Sequence, residues 1–162
     1  MQLAVISDTH LPRGARRLPE SCIERLRRAD LILHAGDLMT MAVLRELETY
    51  GEVVAVHGNV DDAQVRAAVP ASALVEAGGA TIAVTHDAGP AKGRLDRMRR
   101  RFPEADAVVF GHSHIPLHER AEDGFQIFNP GSPTERRRAP SHTMGMARAD
   151  GGRVSFELIV LG

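Results

Sequence analysis

Short aliphatic and β-branched runs punctuate the chain at Leu3–Ile6, Leu31–Leu33, Val53–Val56, Thr81–Val84 and Ala107–Phe110. They are continuous rather than alternating, which predicts strands covered on both faces. Helical patterns lie between them. Pro19 and Glu20 open the first helix, Ile23 and Leu26 give its inner face, and Arg27-Arg28 suit its negative end. Thr40 is placed to cap a second helix carrying Leu44 and Leu47, with Gly51 just beyond. Leu95, Met98 and Phe102 mark a third, which stops at Pro103.

The last third is β-rich. Asp123-Gly124 and Asp150-Gly151-Gly152 each sit between two short runs and predict hairpins. Val154, Phe156 and Leu158 alternate, which predicts one buried face on the final strand. A βαβαβ order followed by hairpins implies an α/β protein with mixed sheets. No linker tract, low-complexity stretch or repeat interrupts the chain, so a single domain over residues 1–162 is expected.

Composition narrows the function classes. Hydrophobic residues are 43% and charged residues 25%, an ordinary globular balance. The one cysteine, Cys22, excludes a disulfide framework and a thiolate zinc site. It fits a reducing compartment and reads as a small core residue. A net charge of −1 gives no general attraction to nucleic acid or to an anionic membrane. Aromatics at 4% offer no stacking platform for single strands. No apolar run approaches the ~20 residues of a membrane span, and no signal peptide is evident. A cytoplasmic protein is expected, without membrane or nucleic-acid partners. A homodimer is expected only as the commonest oligomer.

Eight histidines stand out. Five successive strands end in Asp, Asn or His: Ser7-Asp8-Thr9-His10, His34-Ala35-Gly36-Asp37, His57-Gly58-Asn59, Thr85-His86 and Gly111-His112-Ser113-His114. In open α/β sheets ligands bind at that edge. Residues two apart in extended chain point the same way, so Asp8/His10 and His112/His114 are each expected to converge. Gly36, Gly58 and Gly111 precede candidates and permit tight backbone geometry. Donors of O and N type suit Mn²⁺, iron, Zn²⁺ or Ni²⁺ better than Ca²⁺ or Mg²⁺. Seven donors exceed one tetrahedral ion and suit two ions sharing a carboxylate.

The ordered set Asp8-Thr9-His10, Gly36-Asp37, Gly58-Asn59, His86 and Gly111-His112-Ser113-His114 resembles the calcineurin-like metallophosphoesterases. The likeness is to their small single-domain phosphodiesterase branch, and Asn129-Pro130-Gly131-Ser132 also resembles a loop of that branch. The resemblance implies an αββα sandwich of two mixed sheets flanked by helices. It implies that Asp8, His10 and His114 hold one divalent metal, that Asn59, His86 and His112 hold another, and that Asp37 bridges them. Mn²⁺ is the first candidate, with Ni²⁺, Zn²⁺ and iron compatible.

The expected reaction is phosphodiester hydrolysis by in-line attack of a metal-bridging hydroxide. Two divalent ions, Asp8, Asp37 and that hydroxide leave a residual charge of about +1, which favours an anionic ester. A bound water would titrate at roughly 7. Small phosphodiesters or phosphomonoesters are the expected substrates, since 162 residues leave no room for a specificity cap.

Two departures from the family pattern matter. Val60 stands where a proton-donating residue is common, which predicts modest turnover and a bias to good leaving groups. Asp87 follows His86 where glycine is frequent. Around the seven donors, His34, His57, Asp61, Asn129 and Arg136 are candidates for supporting or substrate-facing roles. His118 and His142 read as ordinary polar positions, and Arg97, Arg99, Arg100 and Arg101 as a solvated helix face. The alternative function is a non-catalytic scaffold resembling the retromer subunit of eukaryotes. A scaffold need not retain His10.

Overall fold

The computed structural model describes residues Met1–Gly162 and contains two five-stranded mixed sheets. The first comprises β1 (Gln2–Ile6), β2 (Leu31–His34), β3 (Val53–Ala55), β9 (His142–Asp150) and β10 (Arg153–Leu161). Its order is β10-β9-β1-β2-β3, with β1, β2 and β3 parallel and the β9–β10 hairpin antiparallel to them. The second comprises β4 (Ser72–Ala77), β5 (Ala80–Thr85), β6 (Ala107–Val109), β7 (Leu117–Arg120) and β8 (Gln126–Asn129). Its order is β4-β5-β6-β8-β7, with β5, β6 and β8 parallel and antiparallel strands at both edges.

Each central strand feeds two cores, which is why its apolar run does not alternate. Leu3 and Val5 join Leu33, Val84, Val109 and Phe128 between the sheets. Ala4 and Ile6 face the other way, toward helices α1 (Glu20–Arg28), α2 (Met41–Glu48) and α3 (Ala63–Ala68). Helix α4 (Arg94–Arg101) covers the second sheet's outer face, where Met98 meets Val108, Phe110 and Ile127. The layers are therefore α, β, β, α. Burying one such Leu, Ile or Phe stabilises by about 1.5–3 kcal/mol, so the inter-sheet layer fixes how the two sheets meet. Phe128 stacks on Phe156 there at 4.6 Å. No helix is long and apolar enough to cross a membrane.

Several local expectations change. The helix α3 and the edge strand β4 were not legible; α3 is only six residues and depends on Asp62, whose side chain accepts the Val65 N–H at 2.9 Å. Thr40 occupies the N-cap of α2 but makes no capping bond, and its hydroxyl is buried without a partner. The alternation in β10 breaks. Val154 packs in the inter-sheet core with Phe156 against it, but Leu158 is 42% exposed and burial then passes to Ile159 and Leu161 on the helix side. The opposing edge strand β7 is four residues long, and His118 from it reaches Phe156, so β10 outruns its cover. His118 stays exposed, as an ordinary polar position does, while its ring lies edge-on to Phe128 and Phe156 and bonds Gln126 at 2.8 Å. Arg97 is not a solvated side chain: it ties the carbonyls of Ala88, Pro90 and Lys92.

Candidate metal centre

The carboxyl ends of the parallel strands of both sheets meet at one place. The first sheet contributes Asp8 and His10 after β1, Asp37 after β2 and Asn59 after β3. The second contributes His86 after β5 and His112 and His114 after β6. All seven converge. His10 Nε2 lies 3.8 Å from Asp8 Oδ1 and 3.4 Å from Asp37 Oδ2. His114 Nε2 lies 3.4 Å from Asp8 Oδ1. On the other flank His86 Nε2 is 3.1 Å from Asp37 Oδ2 and 3.1 Å from Asn59 Oδ1. His112 Nδ1 completes that flank, 3.2 Å from Asn59 Oδ1 and 3.4 Å from His86 Nε2. The Asp8/His10/His114 flank is buried, whereas Asn59 and His112 are exposed, so the site opens on one side.

The convergence is not made by pleated strands. Asp8, His10, Asp37, His112 and His114 all have positive φ, at 56°, 46°, 61°, 73° and 62°. Left-handed backbone is uncommon outside glycine, and it clusters where a site demands it. The expectation that extended geometry aligns each pair is therefore corrected: successive left-handed turns aim the side chains, and His112 and His114 go to opposite flanks. Two glycines make the crowding feasible. A Cβ on Gly58 would sit 2.1 Å from Asp37 Oδ1, and one on Gly111 would sit 1.9 Å from Ser7 Oγ.

Each carboxylate is held by one oxygen and offers the other. Asp8 Oδ2 accepts Ser7 Oγ–H at 2.7 Å and the His112 N–H at 3.0 Å. Asp37 Oδ1 accepts the Val60 N–H at 3.0 Å. Two histidines are fixed likewise. His86 Nδ1 donates to Ala35 O at 2.7 Å and His114 Nδ1 to Glu135 O at 2.5 Å, which in the neutral ring puts the lone pair on Nε2.

Three ligand-type atoms are then buried with no hydrogen-bond partner: Asp8 Oδ1, His10 Nε2 and His114 Nε2. An orphaned buried polar atom costs on the order of 1–3 kcal/mol. Their coincidence at one point fits a cation, and oxygen plus imidazole nitrogen without sulfur fits a divalent one. Asp8/His10/His114 and Asp8/Asp37/His86 both have separations suited to sharing an ion.

The electrostatics describe the same charge imbalance. Burial works against the charged form of His10, but the Asp37 and Asp8 carboxylates facing its ring outweigh it and lift the pKa to about 9. His86 is raised by the same carboxylates against its own burial. Asp37 is held well below the usual carboxylate range by His10 and His86, despite burial. His114 is lowered by burial.

The supporting candidates divide. Asp61 is buried and accepts three main-chain N–H groups, from Gly58 at 2.6 Å, Asp37 at 3.1 Å and Met39 at 2.7 Å. Asn129 donates to Gly111 O at 3.0 Å and Ser113 Oγ at 3.2 Å, which ties down the His112–His114 turn. His34 is fully buried, engages Thr9 Oγ1 and the Gly36 N–H, and is pushed down to about 4 by burial. His57 is half-buried, and its ring makes no hydrogen bond. Arg136 closes its own loop onto Ala139 O, whereas the exposed Arg137 reaches His112 O at 3.3 Å. Sequence reasoning missed Glu135, Arg13 and Arg16, which meet beside His10. Only the nearness of Glu135 to Ser132 hinted at it.

A two-sheet sandwich that gathers imidazole and carboxylate donors at a shared carboxyl edge presents a candidate divalent-metal site. Comparison with known proteins supplies the class: the sequence model of the calcineurin-like phosphoesterase superfamily domain matches residues 1–152, and the chain belongs to that family. A probable metallophosphoesterase of Methanothermobacter thermautotrophicus is 37% identical over 164 residues, covering 100% of this chain and 94% of the relative. Vacuolar Protein Sorting 29 from Cryptosporidium parvum has the same fold, with a TM-score of 0.85 at 22% identity, over 99% of this chain and 91% of that one. Wild-type Vps29 from Entamoeba histolytica, solved in complex with Zn²⁺, gives 0.79 at 22% identity over 99% of both chains.

Proposed function

We propose that the chain is a binuclear metal-dependent phosphodiesterase acting on small phosphodiesters. Asp8, His10 and His114 would hold one ion, and Asn59, His86 and His112 the other. Asp37 would stand between them through Oδ2, which faces His10 and His86 alike. Mn²⁺ is the first candidate, with Ni²⁺, Zn²⁺ and iron compatible. The observation that carries the reading is the convergence of three buried, partnerless ligand atoms beside that carboxylate. Two such ions would polarise a phosphoryl oxygen and generate a hydroxide nucleophile near neutral pH.

The chain's own residues supply position and charge. Main-chain N–H groups hold one oxygen of each carboxylate, and main-chain oxygens hold the Nδ1 protons of His86 and His114. Substrate would enter over the exposed Asn59 and His112. Arg137 brings one guanidinium to that side. Arg66 brings a second, bonded to Asn59 O at 3.1 Å, so exposed cations flank the entrance for an anionic ester. Arg13 and Arg16 share the one carboxylate of Glu135 at 3.7 and 3.4 Å, which offsets one of their two charges. Val60, 40% exposed beside Asn59, has no proton for the leaving group, which supports aryl over alkyl esters. The single buried Cys22 supports a reducing, cytoplasmic setting.

A second reading, an interaction module, is favoured by the fold shared with Vps29 proteins. The retained His10 and the complete donor set argue for catalysis. Metal-stripped protein reconstituted with Mn²⁺, Ni²⁺, Zn²⁺ or Mg²⁺ should hydrolyse an aryl phosphodiester faster than the matching monoester. No activity with any ion would refute the enzyme reading and leave the interaction module, whereas full activity in Asp37→Ala would refute the role of Asp37 between the two ions.

A further inference from the structure

The loop Ser132-Pro133-Thr134-Glu135 supplies none of the seven donors, yet it clamps the turn that carries Asp8 and His10. Ser132 Oγ donates to Asp8 O at 2.8 Å, and Thr134 Oγ1 donates to Thr9 O at 2.7 Å. The Glu135 N–H donates to Ser132 Oγ at 2.8 Å. Glu135 then meets two histidines with two different oxygens. Its main-chain oxygen accepts His114 Nδ1–H at 2.5 Å. Its carboxylate Oε2 lies 3.4 Å from His10 Nδ1. The same carboxylate is steadied from outside by Arg16 at 3.4 Å and Arg13 at 3.7 Å. Both histidines point a buried, partnerless Nε2 at Asp8.

We propose that Glu135 is the positioning residue for the Asp8/His10/His114 half of the metal centre. It holds His10 and His114 with the proton on Nδ1 and the lone pair on Nε2, facing the ion. The inference rests on the metal-binding reading above. A neutral imidazole carries one proton, and only the bare nitrogen ligates. A carboxylate at Nδ1 selects that arrangement and makes Nε2 a stronger donor. The main-chain oxygen serves His114 whatever residue stands at 135, so the contribution of the side chain falls on His10. Ala35 O does the same for His86 on the other flank, with no carboxylate involved. The two flanks therefore respond differently to loss of the Glu135 carboxylate. The competing account is that Glu135 only ties the loop through Arg13 and Arg16.

The test uses full-length protein loaded with Zn²⁺: the wild type, Glu135→Gln, Glu135→Ala and the double variant Arg13→Ala/Arg16→Ala. Zinc affinities come from competition with a chromophoric chelator. Ring-nitrogen tautomers come from long-range ¹H–¹⁵N spectra, and circular dichroism checks folding. Glu135→Ala should weaken one of the two zinc affinities by ~10–100-fold and leave the other unchanged. The His10 Nδ1–H resonance should shift or broaden into exchange while that of His114 persists. Glu135→Gln keeps an acceptor oxygen and should fall between. The double variant should keep the wild-type His10 signal. Two zinc affinities within about twofold of wild type in Glu135→Ala, with the His10 resonance unmoved, would overturn the assignment. A double variant matching Glu135→Ala in both readouts would overturn it in favour of the ion-pair tether. Failure of the metal reading is recognised separately, because wild-type protein would then bind no zinc.

Discussion

Asparagine at position 61 would preserve the shape of the side chain and replace one carboxylate oxygen with an NH₂ group. The site gives that change a definite energetic consequence. Asp61 is buried, and its two oxygens accept three main-chain N–H groups, Gly58 and Asp37 on Oδ2 and Met39 on Oδ1. Asparagine has one accepting oxygen. If that oxygen keeps Gly58 and Asp37, the NH₂ confronts the Met39 N–H and leaves a buried donor unpaired, costing about 1–3 kcal/mol. The two surviving bonds lose charge assistance, roughly another 1–2 kcal/mol together. The expected loss for Asp61→Asn is thus on the order of 2–5 kcal/mol, and Asp61→Ala, with three orphaned donors, should lose at least as much. Because two of the donors belong to Asp37 and to the residue before Asn59, metal affinity should fall as well. Urea unfolding of metal-free protein, followed by circular dichroism, measures the first effect. A midpoint shift corresponding to less than ~0.5 kcal/mol at unchanged slope would refute the view that Asp61 organises this edge.

Four further outcomes follow from the same geometry. Metal must displace the proton on His10, whose pKa is raised to about 9, so apparent affinity should fall as pH drops from 9 toward 7, by about tenfold per unit for each proton released; calorimetry showing equal affinity at both ends would refute it. In metal-free protein the stabilisation from His10 is fully present below its unfolded pKa of roughly 6.5 and is lost as pH rises through about 9. Phe128→Ala removes a fully buried ring stacked on Phe156 and should destabilise by about 3–5 kcal/mol; a loss near 1 kcal/mol would mean the sheets close over the gap. Val60→His places a proton donor beside Asn59 and should raise alkyl phosphodiester turnover by up to ~10²–10⁴-fold with little change for aryl esters; equal gains on both would refute the leaving-group argument.

The central strands and the donor residues were legible for one reason. Strands buried on both faces carry unbroken apolar runs, and the polar residue that follows each run is conspicuous. What escaped was geometry that residue type does not encode. Nothing in Asp8 or His112 announces a left-handed backbone, because the surrounding hydrogen bonds impose it. Glu135 lies 125 positions from His10 and looks like any surface acid until the loop at Ser132 folds onto Asp8. The exposure of Leu158 depends on how far β7 extends, a fact about another strand. Short α3 was hidden because six residues cannot show a helical period.

The left-handed turns at Asp8, His10, Asp37, His112 and His114 also bear on evolvability. Each non-glycine residue in that conformation costs roughly 1–2 kcal/mol, so the edge that gathers the candidate metal donors is the edge the fold would most readily relax. Glycine at any of these positions would relieve backbone strain while deleting a donor. Selection for stability alone would therefore erode this edge first, and a lineage of this fold released from catalysis would grow sturdier as it lost its metals.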